Sequence, residues 1–124
     1  MICGYIIFWL VADEVHIQNI VVAEPYRRRG LGRLLLHFAI AQGMNQEFEQ
    51  ALLEVRESNV GAIALYHQYQ FVIVGTRENY YRNGETALLM SLGPFESDDA
   101  LEKYREFMSK QASRIGDQLQ FRVE

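Results

Sequence analysis

Several features that would assign a chain to a specialised class are scarce or missing in this sequence. Its single cysteine, Cys3, cannot form an internal disulfide, so nothing indicates an oxidising compartment. The apolar stretch at residues 1–12 is too short to span a bilayer and has no basic leader before it. There is no internal repeat, low-complexity tract or cluster of metal-ligating residues. We therefore expect a cytoplasmic protein without a membrane segment or a bound metal.

Positive charge is also scarce, and much of it is clustered. The net charge of −4 argues against general binding of nucleic acid, which usually requires a basic domain. Four of the 12 lysines and arginines nevertheless fall close together, at Arg27, Arg28, Arg29 and Arg33. A local cationic spot on an acidic protein suits a small polyanionic ligand better than a long duplex. With 124 residues, 49% of them hydrophobic, the chain has room for one domain with one core.

The first part of the chain predicts two strands and a helix. The apolar run 5–11 indicates a strand covered on both faces, and residues 15–23 return as its antiparallel neighbour. Pro25 then ends the ladder because it has no N–H to donate. The helix that follows is expected to end near residues 43–46. Helical spacing predicts its buried stripe as Leu31, Leu34, Leu35, Phe38 and Ala41.

The middle of the chain predicts a strand–helix–strand crossover followed by a hairpin. Residues 51–56 indicate a third strand, which a right-handed crossover places parallel to the second. Ser58 and Asn59 are both favoured N-cap residues for a helix over 60–69. The next two strands are predicted to form an antiparallel hairpin, made of residues 71–77 and 86–92 around the turn Asn83-Gly84.

The end of the chain differs in character from the rest. Ser97 and the two aspartates after it are expected to cap a helix over 98–115. Alternating apolar residues then predict a half-buried strand over 119–123. We therefore divide the chain into a core, residues 1–95, and a helix–strand extension, residues 96–124.

The stretch 26–33 joins the second predicted strand to the helix and has the chemistry of an anion site. Gly30 and Gly32 lack a Cβ, so backbone amides there can approach a phosphate closely and turn through positive φ. A helix beginning at Leu31 or Gly32 adds the partial positive charge of its N-terminus. Taken alone, the stretch fits a solvated basic turn equally well.

In combination, these features resemble the GNAT family of acetyl-CoA-dependent N-acetyltransferases. The family's pyrophosphate loop has the pattern Gln/Arg-x-x-Gly-x-Gly/Ala, which Arg27-Arg28-Arg29-Gly30-Leu31-Gly32 matches. The flanking segments resemble its RimI branch, which acetylates the α-amino group of a ribosomal protein. These segments are Leu53 to Asn59 (LEVRESN), Ala62 to Tyr66 (AIALY) and Asn79-Tyr80-Tyr81.

The resemblance implies an α/β fold of the GNAT type: a mixed, mostly antiparallel sheet with one splayed parallel strand pair and flanking helices. It also implies acetyl-CoA as cosubstrate. Backbone groups left unpaired where the strands part would hold the acetyl carbonyl and the pantetheine arm, and unpaired amides are costly without such a ligand. The loop amides and arginines would hold the pyrophosphate. The implied cofactor-binding residues are Ile20, Val21, Val22, Arg27, Arg28, Arg29, Gly30, Leu31, Gly32, Arg33 and Asn59.

The resemblance also assigns the catalytic groups. Glu54 is implied as a general base acting through a water, and Tyr66 as the general acid for the CoA thiolate. An α-amino group titrates near pH ~8, so its deprotonation needs only weak assistance. Taken alone, Glu54 beside Arg56 would be a solvated ion pair and Tyr66 a half-buried helix aromatic. Tyr80 and Tyr81 either line the peptide groove or are simply hairpin aromatics.

Two departures from the family pattern stand out. The family has a strand, two helices and another strand before the segment that starts here at Met1, so the resemblance implies an N-terminally truncated version. We hypothesise that the extension packs where those elements belong, within one chain or exchanged in a homodimer. Gln70 stands where related sequences carry glycine, at a cost of about 1 kcal/mol if that residue is left-handed.

Three functions follow from this combination. The first is acetyl transfer to the N-terminal α-amino group of a protein partner, with a ribosomal protein as the acceptor and no direct contact with nucleic acid. The second is acetylation of a small amine or a lysine side chain, because the cofactor half is shared while the acceptor half is mostly absent. The third is a non-catalytic acyl-CoA-binding remnant. The presence of Glu54 and Tyr66 favours an enzyme.

Overall fold

The computed structural model describes residues 3–27 and 29–123. Within these ranges the strands are β1 (Gly4–Val11), β2 (Glu14–Val22), β3 (Gln50–Arg56), β4 (Val72–Arg77) and β5 (Ala87–Leu92). The α-helices are α1 (Leu31–Asn45), α2 (Val60–Gln68) and α3 (Asp98–Val123), and a short 3-10 helix covers Glu24–Tyr26. Among these described residues, no helix combines the length and the apolar character needed to cross a membrane.

One mixed sheet, in the order β1-β2-β3-β5-β4, organises the fold. β2 and β3 are its parallel pair, and the other neighbouring strands run antiparallel. The predicted parallel placement of β3 beside β2 and the predicted hairpin of β4 and β5 are therefore confirmed. Asn59 caps α2 as its position predicts, because its side-chain oxygen accepts from the amide of Ala62 at 3.2 Å.

The core lies on one face of the sheet, beneath the three helices. Strand alternation places Ile17, Leu53 and Met90 on this face, and each is buried. The helices add Leu36, Ile40 and Met44 from α1, Tyr66 from α2, and Tyr104 and Met108 from α3 to the same cluster. The opposite side, which we name the open face, carries alternate residues such as Trp9, Leu52 and Glu54.

β1 is an edge strand, and the prediction that it is covered on both faces is wrong. Ile6 and Phe8 pack against the core, but Tyr5, Ile7 and Trp9 alternate with them, and Trp9 is 58% exposed. An unbroken apolar run shows that a strand tolerates burial on both faces. Whether a second layer covers it depends on the rest of the fold, which a strand's own sequence does not report.

The buried side of α1 also differs from the predicted stripe. Its buried residues are Leu36, Ala39, Ile40, Gly43 and Met44. The predicted Leu31, Leu34, Leu35 and Ala41 are only half-buried. Phe38 is 52% exposed and meets the ring of Phe8 edge-on, with centroids 6.2 Å apart. Because α1 is apolar around most of its circumference, two stripes satisfy helical spacing, and the close approach of Gly43 to Val15 selects the observed one.

The extension is one long helix. α3 runs on to Val123, so the strand predicted at 119–123 is wrong; five alternating residues are weak evidence when no proline stops the helix. The Tyr104 hydroxyl donates to the carbonyl of Tyr69 at 2.8 Å, and Arg105 donates to that of Met44 at 3.3 Å. α3 thus joins the helical side of the core, so within one chain the extension does not pack beyond β1 as hypothesised. Exchange in a homodimer and the division at residue 95 stay predictions.

Candidate active site

A cleft opens where β2 and β3 part. Their parallel pairing covers only Glu14–Ile17 against Gln50–Leu53. At that point β2 carries one extra residue, Gln18, because its register against β1 shifts there, and such a β-bulge bends the strand. The gap between the strands continues as a cleft of about 770 Å³. The splayed parallel pair implied by the resemblance is present, and it opens at the bulge in the middle of β2.

Beyond the bulge, alternate residues of β2 offer backbone groups to the cleft. The amide of Ala23 donates to the carbonyl of Cys3 beside β1 at 2.7 Å. Bonded and non-bonded residues alternate along an antiparallel pair, so Val21 also faces β1 while Ile20 and Val22 face the other way. The three predicted residues all line the cleft. Only Ile20 and Val22 direct their amide and carbonyl groups toward it.

The loop between β2 and α1 borders the cleft with groups suited to an anion. Gly30 is the N-cap of α1 and has a φ of 81°, a left-handed conformation that its missing Cβ allows. Gly30, Leu31 and Gly32 line the cleft at the first turn of the helix, where amides lack intrahelical partners and the helix dipole is positive. Nε of Arg27 donates to the carbonyl of Val22 at 2.9 Å. This arginine therefore ties the loop to the end of β2.

Arg29 and Arg33 do not line the cleft. Arg28 lies outside the described residues. Arg29 is exposed, with its guanidinium 5.7 Å from the ring centroid of Tyr26. Arg33 points away, toward α2, where it donates a hydrogen bond to Gln68 and lies 5.9 Å from the ring centroid of Tyr69. The Arg33 side chain does not face the cleft in this structure, because one residue along a helix turns the side chain by about 100° from Gly32. Its part in cofactor binding stays a prediction.

Glu54 stands on β3 between two cavities. It lines the cofactor cleft and also a groove of about 590 Å³ on the open face, which we name the acceptor-side groove. The side chain is 35% exposed, and its Oε1 lies 3.5 Å from Nη1 of Arg77. The pairing with Arg56 considered from the sequence is not formed, since Arg56 bonds Glu85 at 2.9 Å. A carboxylate between two cavities can accept a proton from a group entering through one while a thioester occupies the other.

Tyr66 borders the same cleft from the helical side. It lies on α2, is 6% exposed and packs against Phe71 with ring centroids 5.8 Å apart. Burial raises the pKa of Tyr66 to about 12, because the charged phenolate is poorly solvated there. The phenol therefore keeps its proton at neutral pH, which is the form that a general acid requires.

Asn59 lines the cleft at the start of α2. Its side-chain oxygen is engaged in capping, as described above, which leaves the side-chain NH₂ as the group that can donate to a ligand. The cap fixes the orientation of that amide without using its donors. Helix capping and cofactor binding are therefore compatible at this residue.

Tyr80 and Tyr81 follow β4 and line the acceptor-side groove. Their rings meet edge-on with centroids 5.2 Å apart. Each is covered by an arginine: the guanidinium of Arg77 lies 5.4 Å from the centroid of Tyr80, and that of Arg56 lies 3.9 Å from the centroid of Tyr81. Tyr81 also reaches the cofactor cleft, and burial raises its pKa. Tyr80 lines the groove but not the cofactor cleft.

Sequence reasoning missed Arg77 and the α2 residues Gly61 and Leu65, which also border these cavities. Arg77 meets Glu54 only because β5 lies between β3 and β4, and an apolar pattern does not specify that strand order. A Cβ on Gly61 would meet nothing within 4 Å, so the protein interior does not itself require a glycine there. Among the described side chains, which belong to residues 3–27 and 29–116, no group of His, Cys, Asp or Glu is arranged to hold a metal ion.

Comparison with known proteins agrees with this geometry. The profile of the acetyltransferase (GNAT) family matches residues 1–71, more than half of the chain. The chain belongs to the GNAT family. It is similar to the [ribosomal protein bS18]-alanine N-acetyltransferase of Salmonella typhimurium, with 39% identity over 92 residues. That alignment covers 72% of this chain and 62% of the Salmonella protein, so the chain spans less than two thirds of this relative.

Solved structures show the same GNAT architecture. The ribosomal-protein-S18-alanine N-acetyltransferase from Escherichia coli matches with a TM-score of 0.70 and 39% identity, covering 74% of this chain and 61% of that one. Arabidopsis thaliana Naa50, solved with the bisubstrate analogue CoA-Ac-MVNAL, matches with a TM-score of 0.68 and 28% identity, covering 73% and 65%. The expected GNAT fold, with one parallel strand pair and flanking helices, is confirmed.

The cleft of this GNAT chain fits a CoA thioester in size and chemistry. Its volume lies within the roughly 300–1,000 Å³ that is usual for small-molecule sites. The loop end offers helix N-terminal amides and Arg27, and none of the described loop residues that line it is acidic. The strand gap offers backbone groups of Ile20 and Val22. Pyrophosphate, an extended amide-bearing arm and a thioester can therefore each meet a matching part of the cleft.

Proposed function

We propose that this chain binds acetyl-CoA in the cleft and transfers the acetyl group to the N-terminal α-amino group of a protein. The observation that carries the proposal is the placement of Glu54 and Tyr66 on the cleft that also includes the Gly30 anion loop. The Salmonella and Escherichia coli relatives are named as alanine N-acetyltransferases of a ribosomal protein, and Naa50 was solved with a bisubstrate analogue that contains CoA. A ribosomal protein terminus is therefore the acceptor that we propose, with the cytoplasm as the place of reaction.

Binding of acetyl-CoA is assigned to three sets of groups. Amides at Gly30, Leu31 and Gly32 hold the pyrophosphate at the positive end of α1. Ile20 and Val22 bond the thioester carbonyl and the pantetheine arm through the strand gap, and Asn59 donates its NH₂ to the arm. Arg27 supports the loop through the carbonyl of Val22. Arg29 and Arg33 contribute through their positions in the backbone and not through cleft-facing side chains.

Deprotonation of the acceptor amine is assigned to Glu54. The amine enters through the acceptor-side groove, bordered by Tyr80 and Tyr81, and Glu54 removes a proton through a water. An α-amino group titrates near pH ~8 while a lysine side chain titrates near ~10.4, so an N-terminal amine has a larger reactive fraction at neutral pH. An α-amine therefore needs less help from a base than a lysine side chain does.

Departure of the thiolate is assigned to Tyr66. The amine nitrogen forms a bond to the thioester carbon, the carbon–sulfur bond breaks, and the sulfur leaves with the electron pair. Tyr66 donates its phenolic proton toward that sulfur. Because burial raises the pKa of Tyr66 to about 12, the phenolate is a strong base and takes a proton from water, while Glu54 returns to water the proton that it removed from the amine. The net reaction moves one proton from the amine to the CoA thiol.

The cleft and groove are lined by residues between His16 and Met90, so we assign the chemistry to the core, residues 1–95. We assign the extension a supporting role, since α3 packs on the far side of the core from the acceptor-side groove. This division explains why Tyr104 and Met108 are buried although neither borders the cofactor cleft.

A non-catalytic acyl-CoA-binding role is the second candidate. It is favoured by the bare open face, where the acceptor-side groove has an opening beside Glu54 and exposed apolar side chains such as Trp9 and Val74 near it. The chain also spans only 62% of its Salmonella relative. In that case acetyl-CoA binds but no acceptor peptide is held long enough to react. Acetylation of small amines or lysine side chains would indicate an acceptor site with little selectivity. No acetylation of any amine would indicate that the acceptor site is absent.

The catalytic assignment is tested with Glu54→Gln and Tyr66→Phe. Each should lower kcat by about 10²–10⁴-fold, the usual worth of general acid–base help, while the Kd for CoA stays near the wild-type value. Thiol release measures kcat, and calorimetric titration with CoA measures Kd. Matched controls are Glu57→Gln and Tyr5→Phe, which make the same substitutions at residues outside the two cavities. Full rates in both cleft variants would show that the assigned roles are wrong.

A further inference from the structure

An arginine that sequence reasoning did not single out connects the proposed base to the acceptor-side loop. Arg77 ends β4 on the open face, with its Nη1 3.5 Å from Oε1 of Glu54. The same guanidinium lies 5.4 Å from the ring centroid of Tyr80. One rigid planar cation therefore contacts both Glu54 and an aromatic residue of the loop. The cofactor cleft is not involved, since Arg77 lines only the acceptor-side groove.

The sheet register explains why this contact forms. Glu54 lies opposite Leu89 on β5, and Leu89 in turn lies opposite Gly75 on β4. Arg77 is two residues further along β4, so its side chain emerges on the same face as Gly75. It reaches diagonally over β5 to the carboxylate. The bulge in β4 just before Gly75 determines which side chains of the strand's second half lie on the open face.

Arg56 and Arg77 have different anionic partners. Arg56 is nearer to Glu54 in sequence and on the same strand face, yet its guanidinium pairs with Glu85 at 2.9 Å and covers Tyr81 at 3.9 Å. Each tyrosine of the pair thus has its own arginine. The Glu54 carboxylate is the anionic partner of Arg77, and Glu85 is the anionic partner of Arg56.

We propose that Arg77 is a positioning residue, which holds the Glu54 carboxylate on the side of the sheet where the acceptor amine enters and couples it to Tyr80 of the acceptor-side loop. The inference rests on the proposed function. Without this contact the Glu54 side chain, which is partly exposed, has several rotamers that point into solvent. Misplacement of a catalytic group by about 1 Å can cost on the order of 10²-fold in rate. An exposed ion pair of this kind adds little to folding stability, so the two effects are separable.

The test measures kcat, KM and the thermal midpoint for Arg77→Gln, Arg77→Lys, Glu54→Gln and the double variant Glu54→Gln/Arg77→Gln. Arg77→Gln should lower kcat roughly 10- to 100-fold with KM for acetyl-CoA and the thermal midpoint unchanged. Arg77→Lys should restore part of the loss. The double variant should be no slower than Glu54→Gln alone, because Arg77 acts through that carboxylate. Lys103→Gln, which removes an exposed cation on α3, should change none of these values.

Three results would overturn the inference. These are an unchanged kcat in Arg77→Gln, a double variant slower than Glu54→Gln by the full Arg77→Gln factor, or a loss of kcat that accompanies a lower thermal midpoint. The failure of the proposed function has a different signature, which is a wild-type protein that binds CoA but releases no thiol with any acceptor peptide. In that case there is no base to position, and both proposals fall together.

Discussion

Glu54 and Tyr66 border one cleft but occupy opposite environments. Tyr66 is 6% exposed, and burial raises its pKa to about 12, whereas Glu54 is partly open to solvent beside Arg77. A buried phenol holds its proton until a strong base forms next to it. An accessible carboxylate exchanges protons readily with water. The proposed acid and the proposed base thus differ in how far each side chain is exposed to solvent.

Gln70 is a single residue whose backbone conformation has a measurable cost. It follows α2 with a φ of 73°, and its amide donates to the carbonyl of His67 at 3.0 Å. A side chain in this left-handed conformation is strained, and glycine relieves the strain. Gln70→Gly should therefore raise the free energy of unfolding by up to about 1 kcal/mol, as measured by urea denaturation.

The matched control is Gln46→Gly at the end of α1, where φ is −103° and no left-handed strain exists. That variant should bring no gain, because glycine there only adds freedom to the unfolded chain. If Gln70→Gly were destabilised as much as Gln46→Gly, the left-handed conformation would not be the source of the cost.

The sequence could predict site residues whose role is fixed by the backbone. Gly30 was predicted from the need for positive φ before a helix, and Asn59 from capping, and both lie as expected. Side-chain directions were less accessible. Arg33 turns toward Gln68, and Arg77 reaches Glu54, because of how helices and strands pack across the sheet. The cofactor half was therefore more predictable than the acceptor half.

Gly43 lies where α1 comes very close to β2. A Cβ on Gly43 would lie 2.5 Å from Cγ2 of Val15 and 3.1 Å from Cγ of Phe48, and both neighbours are buried. Gly43→Ala should therefore lower the free energy of unfolding by about 1–3 kcal/mol through overpacking, although alanine favours helix. Chemical denaturation measures the change.

Gly116→Ala on α3 is the control for the same substitution in a helix. A Cβ there would meet nothing within 4 Å, so the variant should gain up to about 1 kcal/mol from helix propensity. Equal effects of the two substitutions would contradict the close approach of α1 to the sheet.

The loop between β4 and β5 carries an acid-sensitive contact. Hydrogen bonds from Ser58, Asn83 and Arg56 hold the pKa of Glu85 at about 2, below its ordinary value of 4.5. A lowered folded-state pKa means that this contribution to stability is complete above pH 4.5 and is lost as the pH falls toward 2. The stability difference between wild type and Glu85→Gln should therefore shrink over that range. A difference that stays constant from pH 7 to pH 3 would contradict the assignment.

Local patterns could predict most elements but not their surroundings. The crossover from β2 to β3 and the β4–β5 hairpin followed from periodicity and turn residues. β1 was expected to be covered twice, and the end of the chain was expected to be a strand. Both errors concern neighbouring elements. An apolar run does not reveal what packs against it, and a short alternating segment does not form a strand without a partner strand.

At the scale of the whole molecule, the sheet is one-sided. The three helices bury one face, while the open face exposes Trp9 at the edge strand and leaves Glu54 at the boundary between cleft and groove. The groups to which we assign acetyl-CoA binding lie on β2, on the loop before α1 and at the start of α2. Among the described residues, the β4–β5 loop and the strand surface border the acceptor-side groove. The account therefore depends most on what the acceptor-side groove selects.

The most direct measurement compares two acceptor peptides with acetyl-CoA by thiol release. One is an alanine-starting peptide of a ribosomal protein with a free terminus, and the other is the same peptide with a blocked terminus and an internal lysine. The account predicts release with the free terminus only, and loss of that release in Glu54→Gln and Tyr66→Phe. Equal release with the blocked peptide, or CoA binding with no release from either, would contradict α-amino acetyl transfer as the function of this cleft.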